Sequence, residues 1–280
     1  MSGAGRPIAV FDSGVGGLTV FRAIRRGLPR ESLVYFGDTA NLPYGTKSPE
    51  TVRGLVRSHL NFLARYGVKF VVVACNTASA VALNGLTRAF RIPLVGVIDP
   101  GVQEALARTR NGRIGVVGTR ATIASGAYQR RLAAASPGTV AVARACPLFV
   151  PLIEEGWANS PVTRRVAEEY LAPLKAAKID TLILGCTHYP LLRPVLRAVL
   201  GPRVTLVDSS DAVLRAVRGE LAARGLLRAR GKRGRVTFCL TDTGGMFPRV
   251  ARRFLGATLG RVVKVDVEVR AASVVARGRS

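Results

Sequence analysis

Two short runs constrain this chain more than anything else in it. Val71-Val72-Val73-Ala74 leads into Cys75-Asn76-Thr77-Ala78-Ser79, and Thr181-Leu182-Ile183-Leu184-Gly185 leads into Cys186-Thr187-His188. Each reads as a buried strand that delivers a cysteine at its C-terminal end, where a helix should begin. A chain built from such corners is a set of parallel strands joined by crossover helices.

The rest of the sequence repeats this alternation. Pro7 to Phe11, Ser32 to Phe36 and Phe70 to Ala74 read as strands. Leu18 to Arg26 and Pro49 to Tyr66 read as the helices between them, each stopped by glycine. A helix is expected through Leu86, Phe90 and Arg91, then a strand from Leu94 to Ile98. Asp99-Pro100-Gly101 punctuates the chain and marks a domain crossing. A second alternation follows: strand Arg113–Val117, helix Ser125–Ala134, strand Val140–Ala145, helix Val162–Ala177, strand Thr181–Leu184, helix Leu191–Leu200 and strand Val204–Val207. A helix from Ser210 to Arg224 and strands Val236–Leu240 and Val262–Val269 return to the first unit. The expected fold is α/β: two similar domains with parallel-rich sheets flanked by helices, and the active site in the cleft between them. The first domain takes residues 1–98 and 209–280, the second residues 99–208. Ligands bind beyond the carboxyl ends of such strands, where Asp12, Asp38, Cys75 and Cys186 would stand.

Bulk composition excludes several classes. No apolar run approaches the roughly 18 residues of a membrane span, and the N-terminus lacks a signal-peptide core, so a cytoplasmic protein is expected. Four scattered cysteines do not make a disulfide scaffold, and two histidines, His59 and His188, leave little for a zinc site. No metal is therefore expected. The net charge of +25 favours non-specific binding of polyanions. The densest cluster runs from Arg224 to Arg235, but no RNA-binding aromatic signature accompanies it, and an arginine-rich solvated surface explains most of the charge.

Asp12-Ser13-Gly14-Val15-Gly16-Gly17 after the first strand suggests a dinucleotide loop. Thr19 stands where the third glycine belongs, and Asp12 would repel a pyrophosphate. The cysteines are more informative. Cys146 and Cys239 read as small buried hydrophobes. Cys75 and Cys186 are each followed by polar groups that an apolar core would leave unsatisfied. A helix N-terminus would lower each thiol pKa from about 8.5 toward neutrality. Two thiols facing one substrate carbon suit acid–base work on both of its faces, the chemistry that inverts a stereocentre.

Four stretches resemble glutamate racemases of the cofactor-independent aspartate/glutamate racemase superfamily. They are Asp12–Gly17, Gly37–Gly45, Ala74–Ser79 and Leu184–Leu191, in the family's order over nearly the whole chain. The resemblance implies two domains, no cofactor, and two cysteines that interconvert L- and D-glutamate for peptidoglycan synthesis. It implies that Cys75 deprotonates the D enantiomer with help from Asp12. Cys186 would deprotonate the L enantiomer with help from His188 and Glu154, although Glu155 is adjacent. Ser13, Tyr44, Gly45, Asn76, Thr77, Thr119 and Thr187 match positions that hold the substrate, together with Asp12 and His188. A homodimer is compatible with the family. Another racemase of the superfamily, of aspartate or hydantoin type, is the nearest alternative. A basic nucleic-acid- or gyrase-interacting protein on the same fold is a second, prompted by the charge.

Overall fold

The computed structural model describes residues 3–86, 90–244, 246–256 and 260–268. Strand and helix alternate from the start. β1 (Ile8–Asp12) leads through α1 (Leu18–Gly27) to β2 (Leu33–Gly37), and α2 (Pro49–Tyr66) leads to β3 (Phe70–Val73). All three strands are buried at every position, as strands covered by helices on both faces must be. α2 starts where Ser48 caps it, its hydroxyl accepting from the Thr51 N–H at 3.2 Å, with Pro49 in the first turn. It stops at Gly67, whose φ of 84° suits only glycine comfortably.

α3 (Asn76–Leu86) follows β3 directly, then β4 (Leu94–Gly96), α4 (Ile98–Arg108), β5 (Arg113–Gly118), α5 (Arg120–Ala124), α6 (Ala127–Ala135) and β6 (Val140–Ala145). α7 (Phe149–Glu154), α8 (Pro161–Ala176), β7 (Thr181–Gly185), α9 (Arg193–Leu200), β8 (Thr205–Val207), α10 (Ser210–Ala223), β9 (Val236–Leu240), α11 (Met246–Leu255) and β10 (Arg261–Lys264) complete the order. The strands form two parallel sheets, β10-β9-β2-β1-β3-β4 and β6-β5-β7-β8. The fold class is the expected one.

Several expected details differ. Asp99 and Pro100 do not break the chain; they lie in the first turn of α4, where an acid meets the positive helix end and proline loses no hydrogen bond. The helix expected from Ser125 begins at Ala127 instead, because Ser125 closes α5 and Gly126, with φ 64°, turns the chain between the two helices. The helix expected from Leu191 is preceded by a 3₁₀ turn at Tyr189–Leu192, because Pro194 sits in the first turn of α9 and marks a fresh start. Phe90 and Arg91 are not helical, and residues 87–89 between them and α3 lie outside the described residues. The last strand ends at Lys264 rather than Val269, which lies outside the described residues. α4, α5, α7 and α11 were not anticipated.

The larger sheet packs on aromatic rings. Phe21, Tyr35 and Phe238 meet with centroids 5.4 to 6.0 Å apart, and the Tyr35 hydroxyl donates to the Gly14 carbonyl at 2.7 Å. Among the described residues Lys69 and Glu31 form a buried ion pair. Lys69 Nζ donates to Glu31 at 2.6 Å and to the carbonyls of Ala4 and Leu226, each at 2.7 Å. It ties the N-terminal segment, the lead-in to β2 and the segment after α10 to the start of β3. Among the described residues no helix is long and apolar enough to cross a membrane.

Candidate active site

The carboxyl ends of both sheets converge on one narrow cavity. Ser13, Gly14, Leu42, Pro43, Tyr44, Gly45, Cys75, Asn76, Thr77, Thr119, Val150, Glu154, Cys186, Thr187 and His188 line it. Cys75 follows β3 and Cys186 follows β7, so each sheet contributes one thiol. Of the residues expected from the sequence at this edge, Asp12 and Asp38 are not in the lining; both are buried. No lysine or arginine lines the cavity.

Glycines let the two sheets approach. A Cβ on Gly16 would meet Nδ1 of His188 at 2.5 Å, and one on Gly45 would meet Cβ of Thr119 at 2.7 Å. Gly16 therefore admits the other half of the molecule rather than a pyrophosphate, while Gly17 makes room for Asp12 and Ala74. Hydroxyls also cross the junction. Thr77 Oγ1 lies 2.9 Å from Thr119 Oγ1 and 3.1 Å from Thr122 Oγ1, with Thr119 and Thr122 3.0 Å apart.

The two thiols have different surroundings. Cys75 Sγ lies 3.5 Å from Ser13 Oγ and accepts from the Ala78 N–H at 3.4 Å. Burial, reinforced by Asp12, pushes its pKa up to about 12 despite those contacts. The neutral-range thiol expected from a helix N-terminus is thus not found at Cys75, because desolvation outweighs the helix end. Asp12 accepts from the Gly14 N–H at 3.0 Å, and burial raises its pKa against the opposing pull of His188.

Cys186 Sγ lies 3.8 Å from Nδ1 of His188. On the other side of the ring, Nε2 meets Glu154 Oε1 at 3.0 Å. It is Glu154, not Glu155, that reaches the histidine. Burial alone would lower the His188 pKa, but Cys186 and Glu154 together lift it to about 10. The ring also stands edge-on to Phe254 at 5.4 Å. Arg253, on the same unanticipated helix α11, donates to the carbonyl of Glu154 at 2.9 Å.

Cys146 is buried beside this cavity without lining it, and Cys239 lies inside β9. Tyr128 is the contributor sequence reasoning missed. It is fully buried on α6, and its hydroxyl donates to Asn76 Oδ1 at 2.6 Å. That leaves the Asn76 NH₂ as the free end of the amide. Nothing local in the sequence marks this partnership across 52 positions. Among the described residues no group of three or more histidine, cysteine or acidic side chains could hold a metal ion.

Comparison with known proteins agrees with this arrangement. Residues 8–217 match the model of the Asp/Glu/Hydantoin racemase family. A glutamate racemase from Geobacter metallireducens is 49% identical over 263 residues, 94% of this chain and 97% of that protein. The crystal structure of a glutamate racemase from Bacillus anthracis matches with a TM-score of 0.90 and 38% identity, covering 95% of this chain and 99% of that one. A Francisella tularensis glutamate racemase solved in complex with D-glutamate matches at 0.89 and 36% identity, over 94% of this chain and 98% of that one.

Proposed function

The chain belongs to the Asp/Glu/Hydantoin racemase family, and on that premise we propose that it is a glutamate racemase working through two thiols. The observation that carries this reading is one cavity with a cysteine from each sheet in its wall, Cys75 backed by Asp12 and Cys186 backed by His188 and Glu154.

The chemistry is a paired proton transfer. One thiolate takes the α-proton, and the C–H electron pair delocalises toward the α-carboxylate. The opposite thiol returns a proton to the other face, so the two sulfurs exchange protonation states. Cys186 deprotonates L-glutamate and Cys75 deprotonates D-glutamate. In the empty site Cys75 is a neutral thiol, the donor form that L-to-D conversion requires. The substrate's α-ammonium, placed beside it, lowers its pKa and opens the reverse direction. His188 holds a proton next to Cys186 at neutral pH, and Glu154 holds His188.

Ser13, Tyr44, Gly45, Asn76, Thr77, Thr119 and Thr187 supply hydroxyl, amide and backbone N–H groups to the substrate's carboxylates. With no lysine or arginine in the lining, those neutral donors and the protonated His188 bear the anionic charge. A buried, hydrogen-bonded cavity suits a carbanion-like transition state. No resident cofactor enters the scheme. The product serves peptidoglycan precursor synthesis, which sets the enzyme's place of work in the cytoplasm. The +25 surface adds weak, salt-sensitive binding of polyanions, and a homodimer is the assembly state to look for by sedimentation.

Circular dichroism of L- and D-glutamate solutions tests the reading. The parent racemises both, while Cys75→Ala and Cys186→Ala each abolish turnover and keep the parent far-UV spectrum. Full activity in either variant, or a parent that turns over aspartate but not glutamate, overturns it.

A further inference from the structure

His59 is a polar side chain in an apolar place. It is 0% exposed on α2, with its ring against Phe36 at 5.0 Å and Phe11 at 5.6 Å. Its Nε2 has no hydrogen bond. A buried nitrogen left unpaired costs stability that a leucine at the same position would not. Nδ1 lies 3.3 Å from the hydroxyl of Tyr44, and Nε2 stands 3.5 Å from Asp38 Oδ2 without forming a hydrogen bond to it.

That hydroxyl is held tightly. Tyr44 donates to Asp38 Oδ2 at 2.5 Å. The other Asp38 oxygen accepts from Asn41 Nδ2 at 3.0 Å and from Thr241 Oγ1 at 2.9 Å. Asp38 itself is anchored under β1, its N–H donating to the Asp12 carbonyl at 3.0 Å. Tyr44 has one hydroxyl proton and gives it to Asp38, so the contact with His59 runs from Nδ1–H to the phenolic oxygen. Burial keeps the His59 ring neutral against the opposing pull of Asp38, and it holds the Tyr44 proton in place. The Tyr44 side chain is thus clamped at its tip between Asp38 and His59, and the chain at the clamp forms the Leu42–Gly45 wall of the cavity.

We propose that His59 is a positioning residue for racemisation: it holds the Tyr44 hydroxyl against Asp38 and so fixes the wall formed by Leu42, Pro43, Tyr44 and Gly45 against the substrate. His59 touches no substrate and acts only through Tyr44. This rests on the racemase reading above. Its consequence is a role in binding geometry: loss of the Nδ1 donor loosens the wall in the free enzyme and weakens capture of both enantiomers, with less effect on proton transfer once the substrate is seated.

Five proteins test it: the parent, His59→Leu, His59→Asn, Tyr44→Phe and the His59→Leu/Tyr44→Phe double variant. Each is assayed for the kcat and KM of both glutamate enantiomers, with thermal unfolding as the control for folding. His59→Leu raises KM about three- to tenfold, the worth of one hydrogen bond, and changes kcat less. His59→Asn, whose amide N–H can stand in for Nδ1–H, recovers KM to within about twofold of the parent. In the Tyr44→Phe background His59→Leu adds nothing further, because the atom it acts on is gone. A merely structural histidine would instead give effects that multiply in the double variant, or a loss in His59→Leu that falls on kcat alone with KM unchanged. Either result overturns the proposal while the racemase reading stands. A parent that does not racemise glutamate overturns both.

Discussion

The sulfur of Cys186 and Nδ1 of His188 lie 3.8 Å apart, and the far side of the same ring rests on Glu154 at 3.0 Å. The imidazole is therefore held between two groups that accept from it, the Cys186 sulfur in its thiolate form and a carboxylate. That explains why a buried histidine keeps its proton well above the usual range.

The first prediction concerns that proton. With only two histidines, ring ¹⁵N signals of His188 are assigned by a single substitution of His59. His188 remains protonated through neutral pH and titrates near 10. Glu154→Gln lowers this value. A raised histidine pKa contributes stability that is complete below the unfolded value of about 6.5 and is lost as pH rises through about 10. The stability gap between parent and Glu154→Gln should therefore narrow over that window. Because the two enantiomers are equal in free energy, kcat/KM of Glu154→Gln falls by the same factor in both directions.

Tyr128→Phe removes the donor that orients Asn76 while keeping the ring in place. The amide is then free to flip, and KM for both enantiomers rises about three- to tenfold by steady-state kinetics. Unchanged KM would show that Asn76 is oriented by something else.

Gly45→Ala places a methyl against Thr119, where the two halves meet closely across the cavity. A displacement of this size at a positioning loop costs about a hundredfold in kcat/KM. The melting temperature changes little by comparison, since the methyl sits at a surface-connected cleft rather than in the core.

Lys69→Met breaks the buried pair with Glu31 and leaves a buried carboxylate without its cation, held only by the Arg228 N–H at 2.7 Å. Denaturant unfolding should show a loss of about 3–5 kcal/mol. Restoring part of it with Glu31→Gln in the same chain would identify the stranded charge as the cause.

Sequence reasoning reached some of these features and not others, for physical reasons. Val71–Val73 and Thr181–Leu184 announce themselves because a parallel strand covered on both faces must be apolar throughout, and its last residue then falls at the ligand edge. Cys75, Cys186 and His188 follow from that placement. Tyr128, Thr122 and His59 were illegible as site neighbours because their partners lie 52, 45 and 15 positions away, a distance along the chain that no local periodicity encodes. Asp99-Pro100 was misread because the same residues that stop a chain also start a helix. The Cys75 pKa was misjudged because a helix end is visible in sequence, whereas complete burial is a tertiary property.

The most direct measurement of the two-thiol account is racemisation in ²H₂O, started separately from each enantiomer and stopped at low conversion. Thiols exchange with solvent, so a proton delivered from the opposite face arrives as deuterium. The account predicts that the product enantiomer carries deuterium at Cα while recovered substrate retains protium, from either starting side. Deuterium entering recovered substrate as fast as product, or protium carried over into product, would mean one base serving both faces and would contradict it.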